Sequence, residues 1–389
     1  MIQFIRTFHP IGQGAFYSEK HITSDNKTIT IVYDCGSETF TDSILKKKVN
    51  ASLFEKRSAN KIDILFISHF HEDHINGIKY LNPRIVIIPM LSNDDIIILN
   101  SFNVTSDVKY NIDFALNPHL TFPESTIIKV KPTNDDTTPK HGVTTLEELF
   151  SNIKDEPREQ IIDSGTRITL DGRESHWVYI PFNYNYKEKI EIFKKAIEEQ
   201  GLDYDKLNLV SYILKETTKI REATKKMKGG PNEQSLIVYS GPTRSNTYMK
   251  MHTPNSKLCP CFYNKKYNLE YRISNCYIGC IYLGDSLITE DLLKQLYITI
   301  GEYNKYLGTI QIPHHGSRDS YSESIIKELE NRKKDYSSLM INFVISCGTV
   351  NRHGHPSDYV VEHLLSHGYL LNIVTEQPSS ILTQKWSTN

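Results

Sequence analysis

The sequence predicts an α/β protein in which β-rich sheets pack against one another and helices lie outside them. Two observations lead to this class. Apolar runs of strand length recur through the first and last thirds, and amphipathic helical stretches alternate with them. A third observation concerns residues 62–68, a strand-like run that stops at a dense polar cluster. That cluster therefore lies in a loop at a sheet edge, where side chains from several elements can converge.

In the first third, residues 29–33 form a strand-like run ending at Asp34-Cys35-Gly36, and residues 62–68 form another ending at His69. A short helical piece is expected over residues 75–80, then a strand over 84–89. Gly12-Gln13-Gly14 reads as a tight turn between the first two strands. Residues 92–165 are rich in Asn, Asp, Pro and Thr, and read as loops and weak strands without a core of their own. Residues 187–228 differ. Ile190, Ile192, Phe193, Ala196 and Ile197 fall near helical spacing, and a second helix is expected over 205–228, stopped by Gly229-Gly230-Pro231. This is read as a helical insertion, 187–228, within a single domain spanning residues 1–389. The last third returns to strands at 235–239, 276–283, 309–313 and 342–346, with helices over 290–296, 322–330 and 358–366.

A chain of 389 residues can bury a sizeable core. Its 45 Lys+Arg nearly balance its 46 Asp+Glu, so a nucleic-acid partner would have to be met by a local basic patch. Arg6 interrupts the apolar start, and the longest apolar runs are strand-length, so neither a targeting segment nor a membrane span is expected. The six Cys are too sparse for a disulfide scaffold, and a cytoplasmic location follows as the expectation. Cys259-Pro260-Cys261 with Cys276 and Cys280 invites a structural zinc site. The second pair lies in an apolar strand, however, and buried small hydrophobes account for it better.

The strongest chemical signal is His69-Phe70-His71-Glu72-Asp73-His74. Neutral imidazoles and a carboxylate suit Zn or Mn. Three His and an Asp so close together cannot all serve one ion easily, so two divalent ions, Zn or Mn, are expected. A metal pair can activate water and stabilise the leaving oxygen of a phosphodiester or amide.

This run resembles the signature of the metallo-β-lactamase superfamily, whose fold is an αββα sandwich, and further motifs follow in the family's order. The resemblance implies that Asp34 orients a metal-ligating His, and that Asp285 in Leu283-Gly284-Asp285 bridges the metals. It draws the last ligand from Pro313-His314-His315-Gly316-Ser317, with His315 favoured by the His-Gly pattern and His314 competing. His69, His71, Asp73, His74 and Asp285 complete the implied metal set. A narrower resemblance is to the metallo-β-lactamase-like nuclease domain of the ComEC DNA-uptake family. It rests on Gly12-Gln13-Gly14, on Asn232 followed by Ser235-Leu236, on Pro313 to Ser317, and on Asn351-Arg352-His353-Gly354-His355-Pro356. Asn232 stands where many superfamily members carry a further His, and His71 stands where the subgroup often has Asp. Ile75-Asn76-Gly77 stands where the subgroup often has Gly-Gly. Residues 92–228 match it much less, and without a channel segment DNA uptake itself is not implied.

His355 is expected to contact phosphate or move a proton, alongside Asp73, while His353 is a weaker candidate. Ser317 and Asn351 either bond a phosphate oxygen or shape turns. The basic residues Lys215, Lys219, Arg221, Lys225, Lys226 and Lys228 alternate with Glu216 and Glu222, and read as a solvated face rather than a phosphate track. The expected function is a two-metal phosphodiester hydrolase, foremost a DNA nuclease. The alternatives are a phosphodiesterase for a cyclic nucleotide or phosphocholine-type ester, and a toxin or defence effector held by a regulatory protein partner.

Overall fold

Alternation of β-branched and aromatic residues with residues of the opposite face builds two sheets that share one interior. The computed structural model describes residues 3–53, 61–106, 109–133, 142–151, 158–170, 176–227, 230, 234–243, 249–251, 278–333 and 341–388. In chain order the strands are β1 (Gln3–Phe8), β2 (Phe16–Ile22), β3 (Thr28–Cys35), β4 (Lys61–Phe66), β5 (Asn82–Pro89) and β6 (Thr126–Val130). They continue with β7 (Val143–Thr145), β8 (Glu159–Ile162), β9 (Arg167–Thr169), β10 (Trp177–Asn183), β11 (Leu236–Pro242) and β12 (Met249–Met251). The last are β13 (Gly279–Tyr282), β14 (Leu307–Gln311), β15 (Asn342–Ser346), β16 (Leu370–Val374) and β17 (Leu382–Thr388). Among the described residues one sheet runs β12-β17-β1-β2-β3-β4-β5-β6-β8 and the other β16-β15-β14-β13-β11-β10-β9-β7.

Between the sheets lie Phe4, Tyr17, Tyr33, Ile64 and Phe66 from the first, and Trp177, Tyr179, Val238 and Tyr282 from the second. The alternate residues Val32, Leu65 and Val86 face outward and are covered by Leu45, Val49 and Leu53 of the helix Asp42–Leu53. On the far side Ile281, Ile310 and Phe343 meet Leu292 and Leu296 of Glu290–Ile300, and Val360 and Leu364 of Asp358–Ser366. Burial on both faces explains the unbroken apolar runs of the parallel strands. The result is the expected αββα arrangement, the layering of the metallo-β-lactamase fold.

The stretch expected to be irregular contains more structure than its composition suggests. Asn93–Thr105 is a helix, and the Asn and Asp residues that read as loop form its start: Ser92 and Asp95 make a reciprocal capping box. Strand β6 is internal to its sheet, between β5 and β8. The single second helix expected over 205–228 is instead broken into a 3-10 turn, Tyr204–Asn208, and two short helices, Val210–Lys215 and Thr217–Thr224. Leu207, Ile213, Ile220 and Ala223 of these pieces pack with Phe193, Ala196, Ile197 and Ile98 into a small core. Asn93–Thr105 therefore belongs to the same helical unit. Part of its basic surface is paired locally, while Lys228 lies outside the described residues. Lys219 pairs with Glu216, Lys225 with Glu222 and Lys226 with Glu199, and Arg221 donates to the Thr105 carbonyl. No helix among the described residues is long and apolar enough to cross a membrane. Cys280 is buried in β13, whereas Cys259, Cys261 and Cys276 lie outside the described residues.

Two buried imidazoles make stability depend on pH. Burial pushes both His9 and His21 down to about 3, against a usual value near 6.5. Across that interval the unfolded chain binds more protons than the folded one, so stability is full above pH 6.5 and falls as pH falls. Each group contributes a slope approaching about 1.4 kcal/mol per pH unit. Urea midpoints measured from about pH 7.5 down to about pH 5 should show this decline, and a less steep one in His9→Gln.

Candidate metal centre

The parallel strands of both sheets end at one edge, and the loops leaving them carry the chemistry. β3 runs parallel to β4, and β13, β14 and β15 run parallel to one another. Asp34 ends β3, residues 69–74 follow β4, Asp285 follows β13, His315 follows β14, and the carbonyl of Ser346 ends β15. This is the edge at which open α/β sheets gather their ligands.

Local backbone geometry aims these side chains. Asp34 is fully buried and adopts φ +54°, a costly conformation for a residue with a Cβ. Its carboxylate accepts from Ser68 N at 2.7 Å, Ser68 Oγ at 2.6 Å and His74 Nδ1 at 2.8 Å. His314 and His315 also take positive φ, which turns the chain sharply after β14. Gly14 and Gly36 press on the backbone of Asp73: a Cβ on either would lie within 2.6 Å of it. The Gly12-Gln13-Gly14 turn thus supports the metal loop, and Ala15 N donates to the Asp73 carbonyl.

The buried ends converge. His69, His71 and Asp73, then His69, His74 and Asp285, then Asp73, His74 and His315 form three overlapping groups, each with its ligand atoms within 4.8 Å of one another. In three of the imidazoles Nδ1 is already committed. His69 bonds Ser68 Oγ at 2.9 Å, His74 bonds Asp34, and His315 donates to the Ser346 carbonyl at 2.9 Å. That leaves Nε2 facing inward, 3.6 Å from Asp285 Oδ2 for His69, 3.2 Å from Asp285 Oδ1 for His74 and 3.0 Å from Asp73 Oδ2 for His315.

A neutral imidazole arranged this way points a lone pair at a carboxylate oxygen. Nε2 of His69 and of His74 and Oδ1 of Asp73 are buried and make no aligned hydrogen bond among the described residues. A cation between the two acceptors resolves the conflict, so the donor set fits divalent metal. The field is of the right sign. Burial opposes charging of His74, yet the carboxylates of Asp285, Asp73 and Asp34 hold it well above the usual imidazole range. Burial would raise Asp73 and Asp285, but the neighbouring imidazoles hold both well below the usual carboxylate range.

Other expected residues lie around the cluster. His314 lies outside the three groups, with Nδ1 2.8 Å from Ser320 Oγ and Nε2 3.8 Å from Asp285 Oδ2, and is partly exposed. The ring of His355 is 5.5 Å from that of His314. Burial, then the imidazoles of His314 and His315, push His355 down to about 4. The two loops are locked together, because a Cβ on Gly316 would meet Pro356 at 2.7 Å. Asn351 spends its amide on its own loop, donating to the carbonyls of Gly348 and His355 and accepting from the backbone of His353 and His355. Ser317 is buried and its Oγ accepts from Asp319 N. Both side chains therefore shape turns. Asn232 lies outside the described residues.

Sequence reasoning missed Ser68, Ser235 and Glu38. Ser68 and Ser235 both approach His69 Nδ1, and Ser235 Oγ accepts from Asp285 N at 2.9 Å. Glu38 stands 4.0 Å from His71 Nε2 and 3.6 Å from His353 Nε2. Ser68 directly precedes the cluster and could have been suspected, and Ser235 stood in a quoted motif without a role assigned to it; Glu38 carries no linear signal.

A family model for the metallo-beta-lactamase superfamily matches residues 22–102, which span β3, β4 and the His-rich run. No curated protein sequence matches the chain. The match and the buried His/Asp cluster together point to a metal-dependent hydrolase.

Proposed function

We propose that this protein is a two-metal phosphodiester hydrolase acting on DNA, with Zn or Mn as its metal. The observation that carries the reading is the pair His314 and His355, lying just outside the buried cluster on motifs that resemble the ComEC nuclease domain. Neither belongs to the three ligand groups, and both are partly exposed.

His69, His71, Asp73, His74, Asp285 and His315 would hold the ions. A bound pair supplies Lewis acidity toward the attacking water and the leaving oxygen. The chain's own residues do the rest. Asp34, Ser68 and the Ser346 carbonyl fix which nitrogen of each imidazole faces inward. His355 meets the phosphate or passes a proton, with Asp73 as the inner proton acceptor.

Chelated protein reloaded with Mn or Zn, then given single- and double-stranded DNA, RNA, cyclic nucleotides and a phosphocholine ester, tests the reading. DNA should be cut only in the reloaded samples. Intact DNA across all metals would overturn it, and cleavage confined to a cyclic nucleotide or the choline ester would move the assignment to a small-substrate phosphodiesterase.

A further inference from the structure

His69, His74 and His315 face the cluster through Nε2, whereas His71 faces it through Nδ1, 2.6 Å from Asp73 Oδ1. That nitrogen is buried and makes no aligned hydrogen bond among the described residues. The outward nitrogen of the same ring, Nε2, lies 4.0 Å from Glu38 Oε1, an ion-pair distance longer than a hydrogen bond. The Glu38 carboxylate also stands 3.6 Å from His353 Nε2 and 3.8 Å from Arg352 Nη2. Its backbone is fixed from two directions. Glu38 N donates to the Gln13 carbonyl at 2.8 Å, and Ser37 Oγ donates to the Ile11 carbonyl at 2.6 Å. Ser37 N donates to Asn76 Oδ1 at 3.0 Å, and Asn76 Nδ2 donates back to the Ser37 carbonyl at 2.8 Å. The loop that carries Glu38 is thus tied both to the Gly12–Gly14 turn and to the residues that follow the His-rich run.

An imidazole that ligates metal donates its other ring N–H to an acceptor, which sets the orientation of the ring and raises its basicity. Ser68, Asp34 and the Ser346 carbonyl contact the outward nitrogens of His69, His74 and His315. We infer that Glu38 is the positioning residue for His71: its carboxylate draws the Nε2 hydrogen outward and leaves the Nδ1 lone pair for a divalent ion. Arg352 and His353 attract the same carboxylate from the other side, which keeps it beside the metal loop. The inference rests on the metal-centre reading and is independent of the substrate.

The test uses the full chain as wild type, Glu38→Ala, Glu38→Gln and Glu72→Ala, the last removing an exposed carboxylate of the His-rich run. Metal-free samples are titrated with Mn or Zn in calorimetry and melted with and without the metal. Glu38→Ala should bind metal about tenfold to a hundredfold less tightly. Its metal-free melt should match the wild type, while the rise in Tm on adding metal shrinks. Glu38→Gln keeps an oxygen acceptor of the same reach and should recover most of the affinity, and Glu72→Ala should lose none. Should Glu38→Ala unfold, Glu38→Leu, which also lacks an acceptor, takes its place. Wild-type affinity in the folded Glu38 variant, or a loss as large in Glu72→Ala, would overturn the inference while leaving the metal centre standing. An equal loss in Glu38→Ala and Glu38→Gln would also overturn it, since general charge attraction rather than orientation would then be at work. A wild type that takes up neither metal would remove the metal centre, and the role of Glu38 with it.

Discussion

A chain carrying Asp285→Ala should lose both divalent ions together and turn over its substrate roughly a thousandfold more slowly. Asp285 is 1 % exposed and stands between the inward nitrogens of His69 and His74. Its position leaves little slack. Ser235 Oγ holds its backbone N–H, and Gly284 before it adopts φ +55° in a space where a Cβ would lie 2.8 Å from both Ser68 and Ser235. Without the carboxylate, four imidazoles and Asp73 remain, too few anionic oxygens for a pair of divalent charges. The electrostatic stabilisation at stake is several kcal/mol, and about 1.4 kcal/mol corresponds to a factor of ten in rate. Elemental analysis beside single-turnover rates would check this, with circular dichroism confirming the fold. Retention of two ions and the wild-type rate would remove Asp285 from the centre of the assignment.

The second large effect lies in the interior, away from the metal. Arg6 is fully buried and donates Nε to Glu19 at 2.7 Å and Nη1 to the Ile278 carbonyl at 2.7 Å. Glu19 also accepts from Tyr179 at 2.5 Å, Ser240 at 2.6 Å and Tyr282 at 2.8 Å. Burial would raise Glu19, but Arg6, His21 and these hydroxyls bring it below the usual value, so the pair stays charged. Removing one partner strands the other's charge, and Arg6→Met should cost about 3–5 kcal/mol. That is a large share of a typical stability of about 5–15 kcal/mol. The double variant Arg6→Met/Glu19→Leu should cost less than the sum of the single changes, because it leaves no isolated charge. Urea titrations of the four proteins measure the coupling, and strictly additive costs would show that the two charges do not depend on each other.

The pieces of the site that could be read from the sequence are those with short-range signals. Residues 69–74 are contiguous, and Asp285 and His315 each follow a recognisable apolar strand. The layering was legible for the same reason, since strands buried on both faces advertise themselves as apolar runs. What could not be read depends on pairing across the chain. Arg6 looked like a break in an apolar segment, and only its register opposite Glu19 in the adjacent strand gives it a partner. Glu38 reaches the site only through the folding of a separate loop. Asn93–Thr105 was hidden by its own cap, whose Ser, Asn and Asp residues resemble a turn, and by Ile96-Ile97-Ile98-Leu99, which run consecutively rather than at helical spacing. At Asn351 the motif was visible but its job was not, because an amide that shapes a loop and one that binds phosphate look the same in one dimension.

β1 is flanked by β2 on one side and by β17 on the other, with Phe4 opposite Trp386 and Phe8 opposite Leu382. The earliest and latest described strands are thus neighbours, and Arg6 meets Ile278 and Gln384 only when the latter has arrived. During synthesis a nascent chain can form the β2–β5 region and the His-rich loop long before β1 is enclosed. Closure is therefore a late, long-range event, with the entropy of a very large loop to overcome. Until it happens, the Arg6 side of β1 is an open edge able to pair with another chain. In the interval between translation of β5 and docking of β17, that edge of β1 lacks its partner strand.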